Sequence, residues 1–324
     1  MASYPIEQLT PDFGFYLRAS HTLFQVQSEY QLIEVLDTPQ FGRVLRIDGC
    51  FMTSEQDEFF YHEPMAHLPA LAHPAPETAL IVGGGDGGMA EELLKHPSIR
   101  QVVMAELDPV VVETSKAWLP AIHGNVFSDP RLEVRIVDGK ALVEQSRAAF
   151  DLIILDLTDP FGPAQALYTA DFYRACRAAL KPGGLISLHL QSPIHRPRTL
   201  ARIVASLGQA FPLVRPALGY VPLYGTLWAF GIASDGQHDP ARLEPAEVDR
   251  RIAARNLQRL QLYNGTTHAG LLAQPGFLRE LLAHPAVPID PATPLEEIQP
   301  PGSLPSLHLV AGPCTTDLSG CGCP

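Results

Sequence analysis

The sequence predicts an α/β protein in which helices cover a parallel β-sheet and a small antiparallel β region comes first. Strand-like apolar runs alternate with helical patterns from Thr78 onward, which is typical of a parallel sheet covered on both faces. The preceding segment alternates apolar and polar side chains with the period of strands. A glycine-rich turn at residues 83–88 follows the first long apolar run, as expected where a strand leads into a helix.

The first part of the chain is predicted to form antiparallel strands. Residues 23–27 and 30–36 alternate, and residues 43–47 lead into Asp48-Gly49, a pair that favours a tight hairpin turn. Residues 55–72 change to a helical period and run into His73-Pro74, where the helix is expected to end. We therefore predict an N-terminal β domain over residues 1–72.

A second domain is predicted over residues 73–285. We expect strands at 78–83, 101–106, 132–137, 150–156, 184–190 and 226–233, and helices at 87–95, 109–118, 139–147, 170–180 and 198–210. Two further helices are expected at 246–260 and 276–283. Proline, glycine and serine then dominate without periodicity, so residues 286–324 are expected to form a disordered tail.

The charge and the cysteines narrow the class of function. The net charge of -12 argues against nucleic acid, which attracts basic surfaces, and favours cationic ligands. No signal-peptide pattern and no run of about 20 apolar residues is present, so we expect a cytoplasmic protein with no membrane partner. Cys50 and Cys176 lie in apolar context and are expected to be reduced. Cys314, Cys321 and Cys323 lack a fourth ligand at standard spacing, so no metal site is expected.

The glycine turn predicts a nucleoside site. It reads Gly-Gly-Gly-Asp-Gly-Gly and satisfies the G-x-G-x-x-G pattern between a strand and a helix. Glu106 ends the next strand, at the spacing of a carboxylate that accepts hydrogen bonds from ribose. NAD and S-adenosyl compounds both fit, and a turn without a ligand is the alternative. Asp86 inside the turn would repel a pyrophosphate, so it favours a ligand with a positively charged tail.

Two carboxylates, Asp156 and Asp159, follow another buried run. Ligands of open α/β sheets bind beyond the carboxyl ends of the strands, so these acids predict a cationic substrate beside the nucleoside.

Each candidate residue also has a purely structural interpretation. Asp138 fits either an adenine acceptor or a helix cap, and Asp159 before proline fits a turn. Taken alone, Tyr61 fits a core aromatic and His62 an ordinary helix histidine.

Together these segments resemble the polyamine aminopropyltransferases, the spermidine synthase family. The resemblance is carried by the turn at 83–88, by Glu106, by Asp138-Gly139, and by the run Asp-Leu-Thr-Asp-Pro-Phe-Gly-Pro at 156–163. Residues 41–49, 57–63 and 95–97 match as well, and the similarity extends over about residues 30–282. It implies a Rossmann-like, methyltransferase-type parallel sheet behind a small antiparallel β domain, assembled as a homodimer or homotetramer.

The resemblance also implies a reaction. The family transfers a 3-aminopropyl group from decarboxylated S-adenosylmethionine to an amine and releases methylthioadenosine. The donor is a co-substrate, so no resident cofactor is expected. We predict putrescine as the acceptor and spermidine as the product. Three alternatives stay open: a longer amine such as agmatine or spermidine, an S-adenosylmethionine-dependent methyltransferase, and a silent polyamine-binding protein. An NAD dehydrogenase is the weakest alternative, because it explains neither Asp86 nor the paired acids.

The family's functional positions fall on a set of residues that we expect to line one site. The positions matching the methylthioadenosine and ammonium parts of the donor are Gln31, Glu106, Asp138, Gly139, Pro163 and Asp86. Asp156 matches the proton acceptor and Asp159 an anchor for the acceptor amine. Tyr61, His62 and Tyr224 match the acceptor channel, and Tyr61 is also expected to be catalytic.

The chemistry of the acceptor explains why a base is needed. A sulfonium is already an activated leaving group, whereas an alkyl amine has a pKa near that of lysine, about 10.4. At pH 7 roughly one molecule in a thousand is neutral, a cost of about 4–5 kcal/mol. A carboxylate within hydrogen-bonding reach can take the proton, and Asp156 is our candidate.

Two segments depart from the family's usual pattern. Leu157 and Thr158 lie between the paired acids, where small hydroxyl residues are common, and this leaves the identity of the acceptor open. His189 stands where relatives usually have glutamine, and we expect it to pack inside the protein rather than contact the acceptor.

Overall fold

The N-terminal β region forms two small antiparallel sheets. The structure is a computed structural model and describes residues 3–10, 12–160 and 162–295. The first sheet is a hairpin, and the second has four strands in the order β3-β4-β5-β6. The six strands are β1 (Ile6–Thr10), β2 (Phe13–Tyr16), β3 (His21–Gln27), β4 (Leu32–Thr38), β5 (Gly42–Ile47) and β6 (Cys50–Ser54).

Seven strands build the central sheet, in the order β12-β13-β11-β10-β7-β8-β9. They are β7 (Thr78–Gly83), β8 (Gln101–Glu106), β9 (Leu132–Ile136), β10 (Phe150–Asp156), β11 (Leu180–Gln191), β12 (Leu213–Val221) and β13 (Thr226–Ser234). The five strands from β7 to β11 run parallel. The strand order reverses between β7 and β10, which is where open α/β sheets bind ligands.

The last two strands pair antiparallel, so the central sheet is mostly parallel and the predicted fold class is confirmed. The predicted strand at 226–233 runs antiparallel to β11, and β12, which we did not predict, pairs antiparallel with it. Pro216 and Gly219 interrupt the β12 pattern and hid the strand. Proline is tolerated there because β12 lies at the edge of the sheet.

The helices follow the predicted alternation, with α4 and α9 as additions. They are α1 (Phe59–Ala72), α2 (Gly88–Leu94), α3 (Pro109–Trp118), α4 (Pro120–His123), α5 (Gly139–Gln145), α6 (Ala170–Ala179), α7 (Pro197–Ala210), α8 (Pro245–Ala254), α9 (Gly265–Leu272) and α10 (Gly276–Ala283). Within the described ranges, no helix combines the length and apolar character needed to cross a membrane.

Strand alternation divides the core into two layers. Ile81 and Ile154 point toward α1, α2, α8 and α9, whereas Leu80 and Ile153 point toward α5, α6, α7 and α10. Helix α1, placed in the predicted N-terminal domain, therefore shares the core of the central sheet. A third cluster joins the N-terminal sheet to α3 and α4.

The predicted tail starts with a packed segment. Ile289 and Leu295 are buried in the layer that contains α7 and α10, and the Ile289 amide donates to the Ser206 hydroxyl at 2.7 Å. Residues 286–295 thus belong to the folded part. The rest of the predicted tail, with its three cysteines, lies outside the described residues.

Candidate active site

A cavity of about 510 Å³ opens where the sheet order reverses. Its walls come from the carboxyl ends of β7, β8 and β10, from β5 and β6, and from the turn between β12 and β13. The structure brings together at this cavity all but one of the predicted site residues: Gln31, Tyr61, His62, Asp86, Glu106, Asp138, Gly139, Asp156, Asp159 and Tyr224. Pro163 lies in a 3₁₀ helix at Gly162–Tyr168, and its side chain is outside what the structure describes.

The glycine turn places the cavity floor against the end of β10. Gly83 and Gly84 have positive φ angles of 82° and 73°, which glycine adopts without strain. A Cβ atom on Gly83 would lie 2.2 Å from the Asp156 carbonyl oxygen, and the Gly84 amide donates to that oxygen at 3.0 Å. Only glycine fits this contact, which joins the turn directly to the Asp156 backbone.

Glu106 and its neighbours form the end of the cavity nearest the N-terminal sheet. Burial raises the pKa of Glu106 to about 7, although hydrogen bonds from the Asp108 and Leu107 amides oppose this shift. Asp108 accepts hydrogen bonds from Gln31 Nε2 at 3.1 Å and from the Ser28 hydroxyl at 2.6 Å. Asp108 was not predicted as a site residue, although Asp108-Pro109 is a recognisable helix start. At this end of the cavity, the carboxyl groups of Glu106 and Asp108 can accept hydrogen bonds from the hydroxyl groups of a ligand.

Asp138 serves as a helix cap and also lines the cavity. Its Oδ1 atom accepts a hydrogen bond from the Lys140 amide at 2.8 Å at the start of α5, as the structural interpretation expected. Gly139 packs so closely that a Cβ atom would lie 2.5 Å from Val82 Cγ1. The cap fixes Asp138 at the cavity wall, so the two interpretations are compatible.

Three ionisable side chains meet at the centre of the cavity. Potential ligand atoms of His62, Asp86 and Asp156 lie within 4.8 Å of one another. Burial is the largest cause, and the charge of Asp86 the next, that raise the pKa of Asp156 to about 7. The charge of His62 and a hydrogen bond with Tyr61 act in the opposite direction. The Asp156 Oδ2 atom is buried and has no hydrogen-bond partner among the described residues. Asp156 is therefore a stronger base than an ordinary carboxylate.

His62 supplies the compensating positive charge. Its Nδ1 lies 2.7 Å from Glu58 Oε2, and its Nε2 lies 3.7 Å from Asp86 Oδ2. Burial acts to lower the pKa of His62, but Asp86 and Glu58 outweigh it and raise that pKa to about 10. A protonated imidazole can donate from both ring nitrogens. His62 therefore forms an ion-pair network with Glu58 and Asp86 beside Asp156.

Two tyrosines border the central cluster. Burial and the carboxylate of Asp156 raise the pKa of Tyr61 well above its usual value, so it stays a neutral hydroxyl. The Tyr224 ring packs against Tyr61, and its hydroxyl donates to the Met52 carbonyl oxygen at 2.7 Å. Tyr224 therefore contributes a ring face to the cavity wall while its hydroxyl is held by the backbone.

A second, smaller space of about 20 Å³ adjoins the cavity, and Asp159 and Cys50 line both. Glu7, Gln191 and Trp228 border the smaller space. Glu7 is 6% exposed, and burial raises its pKa to about 8, partly offset by the Phe51 amide. Neither Glu7 nor Gln191 was predicted as a site residue. Glu7 lies on a short strand without a recognisable motif, and it reaches the site only by tertiary packing.

His189 packs inside the protein, as expected. It is 2% exposed, is absent from the cavity wall, and stacks on Trp228 with a centroid distance of 5.6 Å. Its Nε2 atom lies 2.7 Å from the Tyr168 hydroxyl and 3.1 Å from the Leu157 carbonyl oxygen.

Comparisons with known proteins agree with this geometry. Residues 58–241 match the family described as Spermine/spermidine synthase domain, and residues 4–55 match the Spermidine synthase tetramerisation domain. The polyamine aminopropyltransferase of Nitrosomonas europaea is 56% identical over 295 residues, 91% of this chain and 90% of that protein. The enzyme of the same name from Moorella thermoacetica is 41% identical, covering 86% of this chain and 96% of its own length.

Solved structures give the same result at the level of the fold. A spermidine synthase in complex with the transition state analogue AdoDATO aligns with a TM-score of 0.81 and 34% identity, over 87% of this chain and 95% of that one. The spermidine synthase from Thermotoga maritima aligns with a TM-score of 0.79 and 33% identity, over 87% and 94%. The chain therefore belongs to the spermine/spermidine synthase family and is an enzyme of the polyamine aminopropyltransferase type.

Proposed function

We propose that the enzyme transfers the 3-aminopropyl group of decarboxylated S-adenosylmethionine to putrescine and releases spermidine and methylthioadenosine. The observation that carries the proposal is Asp156, a carboxylate of raised pKa that lines the cavity together with Asp86 and Asp159. Such a set offers a base for the attacking amine and two further acids for the ammonium groups of the substrates.

The nucleoside of the donor is proposed to lie between the glycine turn and the N-terminal sheet. We assign Glu106 and Gln31, which line the cavity, to its ribose, and Asp138 and Gly139, which also line it, to its adenine. Pro163 is assigned to the adenine from the family resemblance alone. Asp86 then faces the aminopropyl ammonium. The donor is a co-substrate whose sulfonium is already activated, so we propose a reaction without a resident cofactor or metal.

Asp156 is proposed to remove the proton of the attacking amine. With a pKa of about 7, it is closer to the amine pKa of about 10.4 than an ordinary aspartate, which reduces the cost of proton transfer. Tyr61 borders the same carboxylate and is placed to orient it or the amine. His62 carries a positive charge among Glu58, Asp86 and Asp156 and so offsets the repulsion between these acids.

The shape of the acceptor end supports a short diamine. A distal ammonium at Asp159 requires a negative partner, which the Asp159 carboxylate supplies; Glu7 lies beyond it as a hydrogen-bonding group of raised pKa. The space past Asp159 is about 20 Å³, which is room for about one water molecule. Agmatine or spermidine would need to place a guanidinium or another propylamine arm in that space.

Product analysis by mass spectrometry tests the proposal. Purified enzyme is incubated with decarboxylated S-adenosylmethionine and, separately, putrescine, agmatine and spermidine. We expect spermidine and methylthioadenosine from putrescine, with slower turnover of the other amines. Extension of spermidine or agmatine without putrescine turnover would contradict the acceptor assignment. Methyl transfer from intact S-adenosylmethionine would contradict the proposed reaction altogether.

Assembly and location complete the proposal. The match of residues 4–55 to a tetramerisation domain supports a homodimer or homotetramer, which light scattering coupled to gel filtration measures directly. The described cysteines, Cys50 and Cys176, are both free and buried, which agrees with a reducing cytoplasm. We propose no nucleic-acid partner, in line with the net charge of -12.

A further inference from the structure

Gln191, the last residue of β11, has an unusual backbone conformation. Its φ angle is 78°, a left-handed value that residues other than glycine rarely adopt. The pairing of β11 with β13 shifts register at this point, between His189 and Gln191. Irregularities of this kind often turn a side chain toward a site. A backbone in this conformation is strained, so we expect a contact of the Gln191 side chain that offsets the energetic cost.

That contact is with Asp159. The Gln191 side chain is 2% exposed, and its Nε2 atom donates to Asp159 Oδ1 at 2.6 Å. The same Nε2 atom lies 3.3 Å from His189 Nδ1. Burial lowers the pKa of His189, so its ring is neutral and one nitrogen can accept a hydrogen bond. Both amide hydrogens of Gln191 thus have partners, one of them the carboxylate at the acceptor end.

His189 and its neighbour Tyr168 hold the backbone of the segment 157–159, which contains Asp159. His189 Nε2 contacts the Leu157 carbonyl oxygen, and the Tyr168 hydroxyl donates to the Thr158 carbonyl oxygen at 2.9 Å. Three consecutive residues after the base are therefore fixed by one buried polar network. Gln191 is the member of that network that reaches a side chain of the cavity wall.

We propose that Gln191 is a positioning residue that orients the Asp159 carboxylate for the distal ammonium of the acceptor. This role rests on the proposed function, in which the acceptor is a diamine. Gln191 acts through Asp159 and contributes nothing to proton removal at Asp156. Its loss should therefore weaken binding of a diamine without changing the chemical step.

The substitution Gln191→Met tests this role. Methionine has about the same length but cannot donate a hydrogen bond to Asp159. We expect KM for putrescine to rise about tenfold while kcat stays within about twofold. Butylamine has no distal ammonium, so its kcat/KM should be unchanged within about twofold. The ratio of the two acceptors separates a role at Asp159 from general damage to the site.

A second variant protects the test against misfolding. Gln191→Asn keeps an amide and tolerates the left-handed backbone better than glutamine does, but it is one methylene too short to reach Asp159. The same loss of diamine preference is expected. Gln101→Met is the matched control, because Gln101 also donates to a carboxylate, Glu133 Oε2 at 3.2 Å, on the exposed surface. Stabilisation by methylthioadenosine should be the same in all variants.

The outcomes distinguish the two proposals. A wild-type enzyme that extends no diamine contradicts the proposed acceptor itself. If the wild type uses putrescine but the variants keep its KM, Gln191 has no positioning role. Equal losses with putrescine and butylamine would also overturn the inference, since they would show a structural effect without regard to the distal ammonium.

Discussion

Replacing Asp156 by asparagine should stabilise the free enzyme at neutral pH while removing its activity. Burial and the charge of Asp86 raise the pKa of Asp156 from 3.8 to about 7. The folded state therefore favours the protonated acid and is destabilised when Asp156 ionises. Asparagine resembles the neutral acid in shape and charge, so the variant avoids that cost but cannot accept the proton of the amine.

The size of the effect follows from the shift. At 1.36 kcal/mol per unit, a shift from 3.8 to about 7 corresponds to about 4 kcal/mol. Because the folded-state pKa is raised, the stabilising contribution of the neutral acid is complete below about pH 4 and is lost as pH rises to about 7. The difference between variant and wild type should thus be near zero at pH 4 and about 4 kcal/mol at pH 8.

Thermal unfolding as a function of pH measures this difference. The unfolding entropy of 324 residues is about 0.7 kcal/mol/K, so 4 kcal/mol raises Tm by about 6 °C. The release of methylthioadenosine should fall by about 10²–10⁴, the usual contribution of a general base. Asp171→Asn is the matched control, because Asp171 is 76% exposed and should change neither quantity appreciably.

Two results would refute the reasoning. If Asp156→Asn melts no higher than the wild type between pH 6 and 8, burial does not raise the pKa of Asp156 as inferred. If the variant retains turnover within about tenfold of the wild type, another group removes the proton. A gain in Tm with loss of turnover that Asp171→Asn does not show would support both parts.

Three further predictions follow from the same site. Asp86→Asn should weaken binding of decarboxylated S-adenosylmethionine, measured by calorimetry, and reduce its preference over the intact donor; an unchanged preference would argue against an ammonium contact at Asp86. The value of kcat/KM for putrescine should rise with pH up to about 7 as Asp156 loses its proton, and a flat profile from pH 5 to 8 would contradict that base. Gly88→Ala should lower both Tm and activity, because its Cβ would lie 2.4 Å from His62 Cε1, whereas Gly208→Ala, with nothing within 4 Å, should leave both intact.

The amino-acid sequence was enough to predict the five parallel strands, the glycine turn and, with the family resemblance, most of the candidate site. The acids Asp86, Glu106 and Asp156 lie at or just beyond strand ends. Gly83 and Gly84 have positive φ angles, which the glycines of the turn made predictable. These features are local, since they depend on residues close in sequence and on the rule that parallel strands end at one edge. The sequence therefore predicted which side chains would meet at the cavity before their distances were known.

The two ends of the cavity and the charge at its centre depend on the tertiary structure. Glu7 and Gln191 are far apart in sequence, yet both border the narrow space beyond Asp159. The antiparallel course of β12 and β13 likewise depends on neighbours distant in the chain. The raised pKa values of Asp156 and His62 arise from burial and from charges brought together by folding. No local pattern encodes such quantities, because desolvation and Coulomb energies depend on what surrounds a group in space.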